Sequence, residues 1–461
     1  MTEDLARRQI DQAIAAWRAA PQDVAVRTRL ARTLYRQADL LGPDHRAPIA
    51  AMIRDPLIDP AQFESAGWIA LAGDMPDDPA AAARWLETND LALALLEEAQ
   101  VSEAGAEHRL TAIRRWLLLE RRAADFPRAA AALVRQAAIN GGAWPFDQDE
   151  QAALPGNPAF APAYRPPRPG GDAPDYTGVT GAVAAQYTGW PYPVWQRSNV
   201  SPASFLRTTL AALGPGAPDL PLCPNILVAG CGTGREASML ARTIPEGRVT
   251  AIELSEASLA LARDRCFGQS NLRFVRHDLH AVADLGERYD YIACSGVLHH
   301  LPDPEAGWRA LVDVLNSGGA MFVALYSRVA RLSVTAARLR IGELVDQPIS
   351  DDVIREARRR LIADPVPGVT QSRDFFSTPG VHDLLFHVHE DGFDVPRIAR
   401  AIDALGLQLL RFQLPAEDVP RYRAMAPHDP WQRDTAAWQA YEMRHPDTFA
   451  GMYKLTMVKP H

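Results

Sequence analysis

From residue 1 to about 150 the apolar positions recur at helical spacing, as in "LALALLEEAQ" and "HRLTAIRRWLLLERRAADFPRAAAALVRQAAI", and no stretch alternates as a strand would. Prolines and Asp/Gly pairs interrupt the pattern at "LLGPDHRAP", "IRDPLIDPAQ" and "GDMPDDPA", which predicts about six to eight helices in an all-helical domain over 1–151. No fixed period repeats, so a tetratricopeptide-like array is compatible with the pattern but not required by it. Residues 152–175, "AALPGNPAFAPAYRPPRPGGDAPD", hold too many prolines and glycines for regular structure and predict a linker. Beyond it, short β-rich runs ("NILVAG", "RVTAIEL", "NLRFVRHDL", "YDYIACSG", "GGAMFVALYS") alternate with helical ones ("GREASMLARTI", "EASLALARDRC", "EAGWRALVDVL"). That alternation predicts an α/β domain over 176–461, with helices on both faces of a parallel sheet. An insertion at about 328–395 follows the fifth strand, and then a helix, a strand "LQLLRF" and a last strand "MYKLTMV" complete the sheet. Ligands of open α/β sheets lie beyond the strands' carboxyl ends, so this insertion is expected to roof the site.

The chain has 461 residues, enough for two cores, and a formal charge of -8. That charge gives no basic field for a phosphate backbone, so nucleic acid is not expected as a partner. The basic residues are almost all arginine, with lysine only at Lys454 and Lys459. Cys223, Cys231, Cys266 and Cys294 are scattered without zinc-site spacing, which predicts reduced thiols and no metal. The N-terminal "MTEDLARRQIDQAIAAWRAA" lacks the apolar core of a secretory signal, and no run approaches the roughly 20 apolar residues a membrane helix needs. A cytoplasmic protein without a membrane partner is the expectation.

"ILVAGCGTGREASML" carries a strand into Gly230, Gly232 and Gly234 and then a helix, a turn that lets a ligand approach the backbone closely. Glu253 ends the next strand, nineteen residues after Gly234, where a carboxylate can accept both ribose hydroxyls of a nucleoside. Dinucleotide sites ask for G-x-G-x-x-G, and Arg235 stands where that third glycine would be. The pattern therefore favours a nucleoside without phosphates, such as S-adenosylmethionine, over NAD.

At these residues the chain resembles the class I S-adenosylmethionine-dependent methyltransferases. "VAGCGTG" is similar to their first motif, "AIELSEASLALA" to their second strand and following helix, and "FVRHDL" to their third strand. "YDYIACSGVLHHLPDPEAGWRALVDVLNSGGAMFVALYS" is similar to their fourth and fifth strands. The resemblance implies a Rossmann-like sheet in which Gly230, Gly232 and Gly234 line the methionine and ribose part of S-adenosyl-L-methionine. It further implies that Glu253 holds the ribose, Leu254 packs on the adenine, Asp278 with Leu279 beside it receives the adenine amino group, and Ser295 and Gly296 border the methyl. The family often has an acid two residues before the first glycine, where this chain has Val228, so the counter-charge to the methionine amine must come from elsewhere.

"QYTGWPYPVWQR", residues 186–197, reads either as a rigid aromatic clamp or as a lid whose Gln186, Tyr187 and Tyr192 close over the methionine end. This block, with "DFFSTPGVHDLLFHVHEDGFDVPRIARAIDALGL" and "HPDTFAGMYKLTMVKP", resembles a bacterial methyltransferase subgroup with a helical, sometimes tetratricopeptide-like, N-terminal domain. His299 in "SGVLHHLPDP" is a candidate base, beside its reading as a structural histidine; His300 is the weaker of the two. In "VHDLLFHVHEDGF" Val381, Leu384, Leu385 and Val388 form the stripe of an amphipathic helix. On that helix the three histidines diverge, which speaks against a metal, while Asp383, His387 and Glu390 at i, i+4 and i+7 form either a solvated face or an acceptor site. Asp383 and His387 are the catalytic candidates, with Glu390 and Tyr326 as acceptor contacts.

The expected function is methyl transfer to nitrogen or oxygen of an acceptor, taken to be a peptide or protein side chain. The alternatives are a small-molecule methyltransferase, with the helical domain forming a homodimer, and a non-catalytic helical scaffold with a vestigial nucleotide fold.

Overall fold

The N-terminal helices start where short polar side chains can take up the free N–H groups of a first turn. The computed structural model describes residues 3–37, 40–56, 58–71, 73–167, 176–198, 205–414 and 418–461. The N-terminal region holds α1 (Glu3–Ala19), α2 (Val24–Arg36), α3 (Arg46–Arg54), α4 (Glu64–Ala70), α5 (Pro79–Thr88), α6 (Asp90–Glu98), α7 (Ala104–Leu119), α8 (Pro127–Asn140) and α9 (Gln148–Ala153). Asp23, Asp78, Asn89 and Glu103 each accept from a backbone N–H two or three residues on, and Asp147 and Glu150 form a reciprocal capping box. In α6 every residue from Leu91 to Leu96 is buried, so this helix runs through the middle of its core rather than along its surface.

The second half forms one seven-stranded sheet in the order β3-β2-β1-β4-β5-β7-β6. Its strands are β1 (Asn225–Ala229), β2 (Arg248–Glu253), β3 (Leu272–Arg276), β4 (Tyr289–Ser295), β5 (Leu315–Leu325), β6 (Gln408–Phe412) and β7 (Tyr453–Val458). The first five are parallel, and β7 enters antiparallel between β5 and β6. The remaining helices are α10 (Gly178–Gly189), α11 (Phe205–Ala211), α12 (Arg235–Thr243), α13 (Glu256–Arg265), α14 (Pro304–Val314), α15 (Leu332–Ile341), α16 (Asp351–Ala363), α17 (Thr378–Leu385), α18 (Val395–Ala404), α19 (Val419–Met425) and α20 (Thr435–Arg444). Chain order reverses between β1 and β4, so the crevice for a ligand lies beyond the carboxyl ends of those two strands.

Contacts divide the chain into two units: Met1–Pro169, Val194–Val200 and Arg340–Phe386 in one, and Gly170–Pro193, Ser201–Leu339 and His387–His461 in the other. Two expectations change. The described part of 152–175 is not an open linker up to residue 167, because its prolines fold into short 3-10 turns that bury Leu154, Phe160 and Tyr164 in the helical core. Tyr164 lies under the Arg114 guanidinium at 3.9 Å and donates to Glu150 at 2.9 Å. Residues 168–175 of that stretch lie outside the described residues.

The insertion, too, is not wholly part of the sheet domain, since Arg340–Phe386 packs into the helical unit. The reason is electrostatic as well as apolar. Arg358 of α16, with no exposed surface, donates to both carboxylate oxygens of Glu107 on α7 at 3.0 and 2.8 Å, and also to the carbonyls of Ala143 and Phe375. Thr378 at the start of α17 donates to the carbonyl of Gly141.

Candidate active site

The loop after β1 keeps its own N–H groups. Gly230 and Cys231 both donate to the Ile252 carbonyl at 2.9 Å, Gly232 donates to Glu253 Oε2 at 3.0 Å, Thr233 to the Tyr192 carbonyl at 3.1 Å, and Gly234 to Cys231. A phosphate-binding loop instead turns successive N–H groups outward to the anion. This loop offers no such cradle, which is a structural reason against a dinucleotide that the missing third glycine only hinted at. Gly232 is needed for a further reason: a Cβ there would lie 2.3 Å from the Tyr192 carbonyl oxygen, at a φ of +52. Its neighbour Thr233 also donates its hydroxyl to the Pro193 carbonyl at 2.6 Å, so the 186–193 segment is fastened onto the glycine loop.

Glu253, at the end of β2, accepts from Gly232 on one oxygen and from the N–H groups of Leu254 and Ser255 on the other, at 2.8 and 3.0 Å. Burial pushes its carboxyl above the usual range, and the three backbone donors oppose that shift. Each carboxylate oxygen has two lone pairs, so the group can still accept from a ribose. Leu254 is half-buried beside it. Asp278 caps the 3-10 turn after β3 through His280 N at 2.9 Å, with Leu279 buried in the sheet core. Ser295 ends β4 and donates to Glu236 Oε1 at 3.1 Å. Thus Gly230, Gly232, Gly234, Glu253, Asp278 and Ser295 all stand at the same end of the sheet, as their places at the ends of β1 to β4 require.

Helix α10 carries Gln186 and Tyr187, and it is tied to α13 by Ser258, whose hydroxyl donates to the Tyr187 carbonyl at 3.3 Å. Gln186 is buried, accepts from Val388 N at 3.1 Å, and has its amide Nε2 buried without a partner among the described residues.

The helix expected through 381–393 stops at Leu385, and this breaks the i, i+4, i+7 relation of Asp383, His387 and Glu390. Asp383 stays on α17 in the helical unit, while His387 and Glu390 lie in irregular chain of the sheet unit. The cause is competition for the backbone. The N–H groups of Val388 and His389 go to Gln186 Oε1 and His387 Nδ1 rather than to carbonyls one turn back, and Val388 ends 51% exposed. The argument against a metal that rested on diverging helix positions falls with the helix.

His387 instead stacks on His300 with ring centroids 3.5 Å apart. Its Nδ1 accepts from the His389 N–H at 3.2 Å, and its Nε2 lies 3.3 Å from Tyr187 Oη. His299 is fully buried and stacked on Tyr326 at 4.0 Å; its Nδ1 accepts from the Tyr326 N–H at 3.2 Å. With that lone pair taken and the proton on Nε2, His299 has no site for another proton. Burial and the neighbouring Arg331 hold both His299 and His300 well below the ordinary imidazole range, with His299 adding to the effect on His300. The base role expected for His299 is therefore replaced by a structural one. Glu390 also differs from expectation, because both its oxygens are held by Arg331, through Nε at 2.8 Å and through Nη2, while the guanidinium lies 4.1 Å over the Tyr326 ring.

Sequence reasoning missed Glu236, Thr233 and Arg331. The acid in the first turn of α12 is what any helix N-terminus favours, so nothing marked Glu236 out. Arg331 sits fifty-nine positions from its carboxylate partner.

Residues 226–319 match a family described as a methyltransferase domain. A protein of Synechococcus sp. is 30% identical over 251 residues, 51% of this chain and 60% of that protein. The malonyl-[acyl-carrier protein] O-methyltransferase of Acetivibrio thermocellus is 33% identical over 97 residues, 21% of this chain and 34% of that protein. The chain thus spans less than two thirds of either relative. Among solved structures, PKMT2 from Rickettsia typhi in complex with AdoHcy aligns over 58% of this chain and 55% of that one, at 17% identity and a TM-score of 0.44. With the family match running from β1 into β5 and taking in the loops at the carboxyl ends of β1 to β4, the chain carries a methyltransferase domain.

Proposed function

We propose that this protein is an S-adenosylmethionine-dependent methyltransferase acting on nitrogen or oxygen of a peptide or protein side chain. The observation that carries the reading is the glycine loop, whose N–H groups turn inward beside a carboxylate at the end of β2. Such a site has acceptors for ribose hydroxyls and no cradle for phosphates. Glu253 is assigned to the ribose, Asp278 to the adenine amine, and the buried Gln186 amide to the cofactor's carboxylate. When bound, S-adenosylmethionine supplies an activated methyl, which an acceptor lone pair displaces from sulfur while the C–S electron pair stays on sulfur. What the chain must do is position the acceptor and exclude water.

Tyr187, held by His387, and Tyr326, held between His299 and Arg331, are the polar groups assigned to the acceptor. The family match ends at residue 319, before Tyr326 and before the 387–393 segment, so the assignment of the acceptor side does not come from the family match. A helical unit with its own core is more than a small acceptor needs, and this supports a macromolecular one working in the cytoplasm. Among the described residues no helix is long and apolar enough to cross a membrane.

A thermal shift with saturating S-adenosylhomocysteine tests the reading, since a ligand that binds only the folded state must raise the transition. No shift leaves the helical scaffold as the better account. Glu253→Ala is expected to weaken binding by about 1–3 kcal/mol, the loss for hydrogen bonds to a charged group. An unchanged dissociation constant in calorimetry would place the ribose elsewhere. For the acceptor, methyl-labelled cofactor added to lysate of the source organism should label protein, and label confined to small molecules overturns that assignment.

A further inference from the structure

Among the described residues Glu236 has no cation at ion-pair distance. It lies in the first turn of α12, half-buried, and accepts from Ser295 Oγ at 3.1 Å. The exposed Lys454 of β7 acts on it only from afar. Burial pushes its carboxyl up, which is the mark of a charge the protein alone does not compensate. The other titratable groups that feel it, Tyr291 and Cys294 of β4, are held protonated by burial and offer no positive charge.

Its position is specific. Val228 of β1 pairs with Ala293 of β4, two residues before Ser295, and side chains two apart on a strand share a face. Val228 and Ala293 pack in one apolar cluster with Ala237 and Leu240 of α12. Glu236 therefore presents its carboxylate over the sheet face on which Val228 lies, beside the loop that begins at Gly230.

We propose that Glu236 is the counter-charge for the α-ammonium group of the bound cofactor, delivered from α12 and oriented by Ser295. This rests on the methyltransferase reading and deepens it. The cofactor brings two positive groups, the sulfonium and the ammonium, and the product S-adenosylhomocysteine keeps only the second. That difference gives the test.

Affinities of wild type, Glu236→Gln and Ser295→Ala are measured by calorimetry for S-adenosylmethionine, S-adenosylhomocysteine and methylthioadenosine, which lacks the amino-acid end. Glu236→Gln keeps the shape and removes the charge. Its dissociation constants for the first two ligands should rise about tenfold, as for a lost charge-assisted hydrogen bond, while methylthioadenosine is unaffected. Ser295→Ala should shift the same two ligands in the same direction by less, and it serves where Glu236→Gln does not fold. A loss for S-adenosylmethionine alone would put the charge against the sulfonium, and an equal loss for methylthioadenosine would mean a merely structural role; either overturns the proposal. Unchanged affinities in a wild-type background that binds S-adenosylhomocysteine sink this inference alone. A wild type that binds none of the three removes it together with the reading beneath it. If affinity holds while turnover falls, Glu236 serves the acceptor instead, and the proposal fails.

Discussion

Arg358→Ala should destabilise the helical unit by about 3–5 kcal/mol, the cost of leaving a buried partner charge uncompensated. Arg358 has no exposed surface, and Glu107 is 5% exposed. The same guanidinium also satisfies the carbonyls of Ala143 and Phe375, so its loss strands two acceptors as well as a carboxylate. Denaturant unfolding followed by far-UV circular dichroism reads the effect as a fall in the midpoint of the helical transition. The double variant Arg358→Met with Glu107→Leu removes both charges and should recover most of the loss, because buried pairs replaced whole by apolar side chains are often neutral. A single-variant loss below about 1 kcal/mol would mean that water reaches the pair and that it behaves as an exposed one. The packing of Arg340–Phe386 into the helical unit would then rest on apolar contact and on the hydrogen bond from Thr378.

That ion pair marks where the sequence stops being legible. Strands β1 to β5 and the helices between them were readable because apolar runs of strand length alternate with helical spacing, and each glycine, acid or serine at a strand end is placed by the strand itself. The partners of Arg358 and Gln186 were not readable. Arg358 finds Glu107 at a separation of 251 residues, and Gln186 finds Val388 at 202. Local spacing carries no record of either. The 381–393 stretch shows the consequence. Its apolar positions continue the helical stripe to Val388, yet two side chains from elsewhere in the fold or the next turn take the N–H groups on which another turn would depend. Of the three polar residues that helical geometry would have gathered on one face, Glu390 is held by an arginine, and His387 meets a tyrosine and a second imidazole. Glu236 was hidden for the opposite reason, since its local reading as a favourable helix-start acid is complete in itself.

Gly232→Ala is expected to cost the sheet unit about 3–5 kcal/mol, from backbone strain together with two displaced hydrogen bonds. The strain is the smaller part, for a φ of +52 is tolerable for a side chain with room around it. The larger part is contact: the new Cβ would sit 2.3 Å from a backbone carbonyl, which cannot swing aside as a side chain tip would. Relief requires the Tyr192–Pro193 segment to lift, and that breaks the bonds from Thr233 N and Thr233 Oγ1 that fasten it. Gly286→Ala is the matched control, with a φ of +67 and nothing within 4 Å of the added carbon, so it should lose only about 1–2 kcal/mol. Thermal unfolding of both variants, with and without S-adenosylhomocysteine, separates the two contributions. Gly286→Ala should keep the stabilisation by ligand seen in wild type. Gly232→Ala should lose it, because the loop assigned to the cofactor and the segment carrying Tyr192 move together. Equal losses in the two variants would show that conformational strain alone sets the requirement for glycine, and that the segment is not held to the loop in solution.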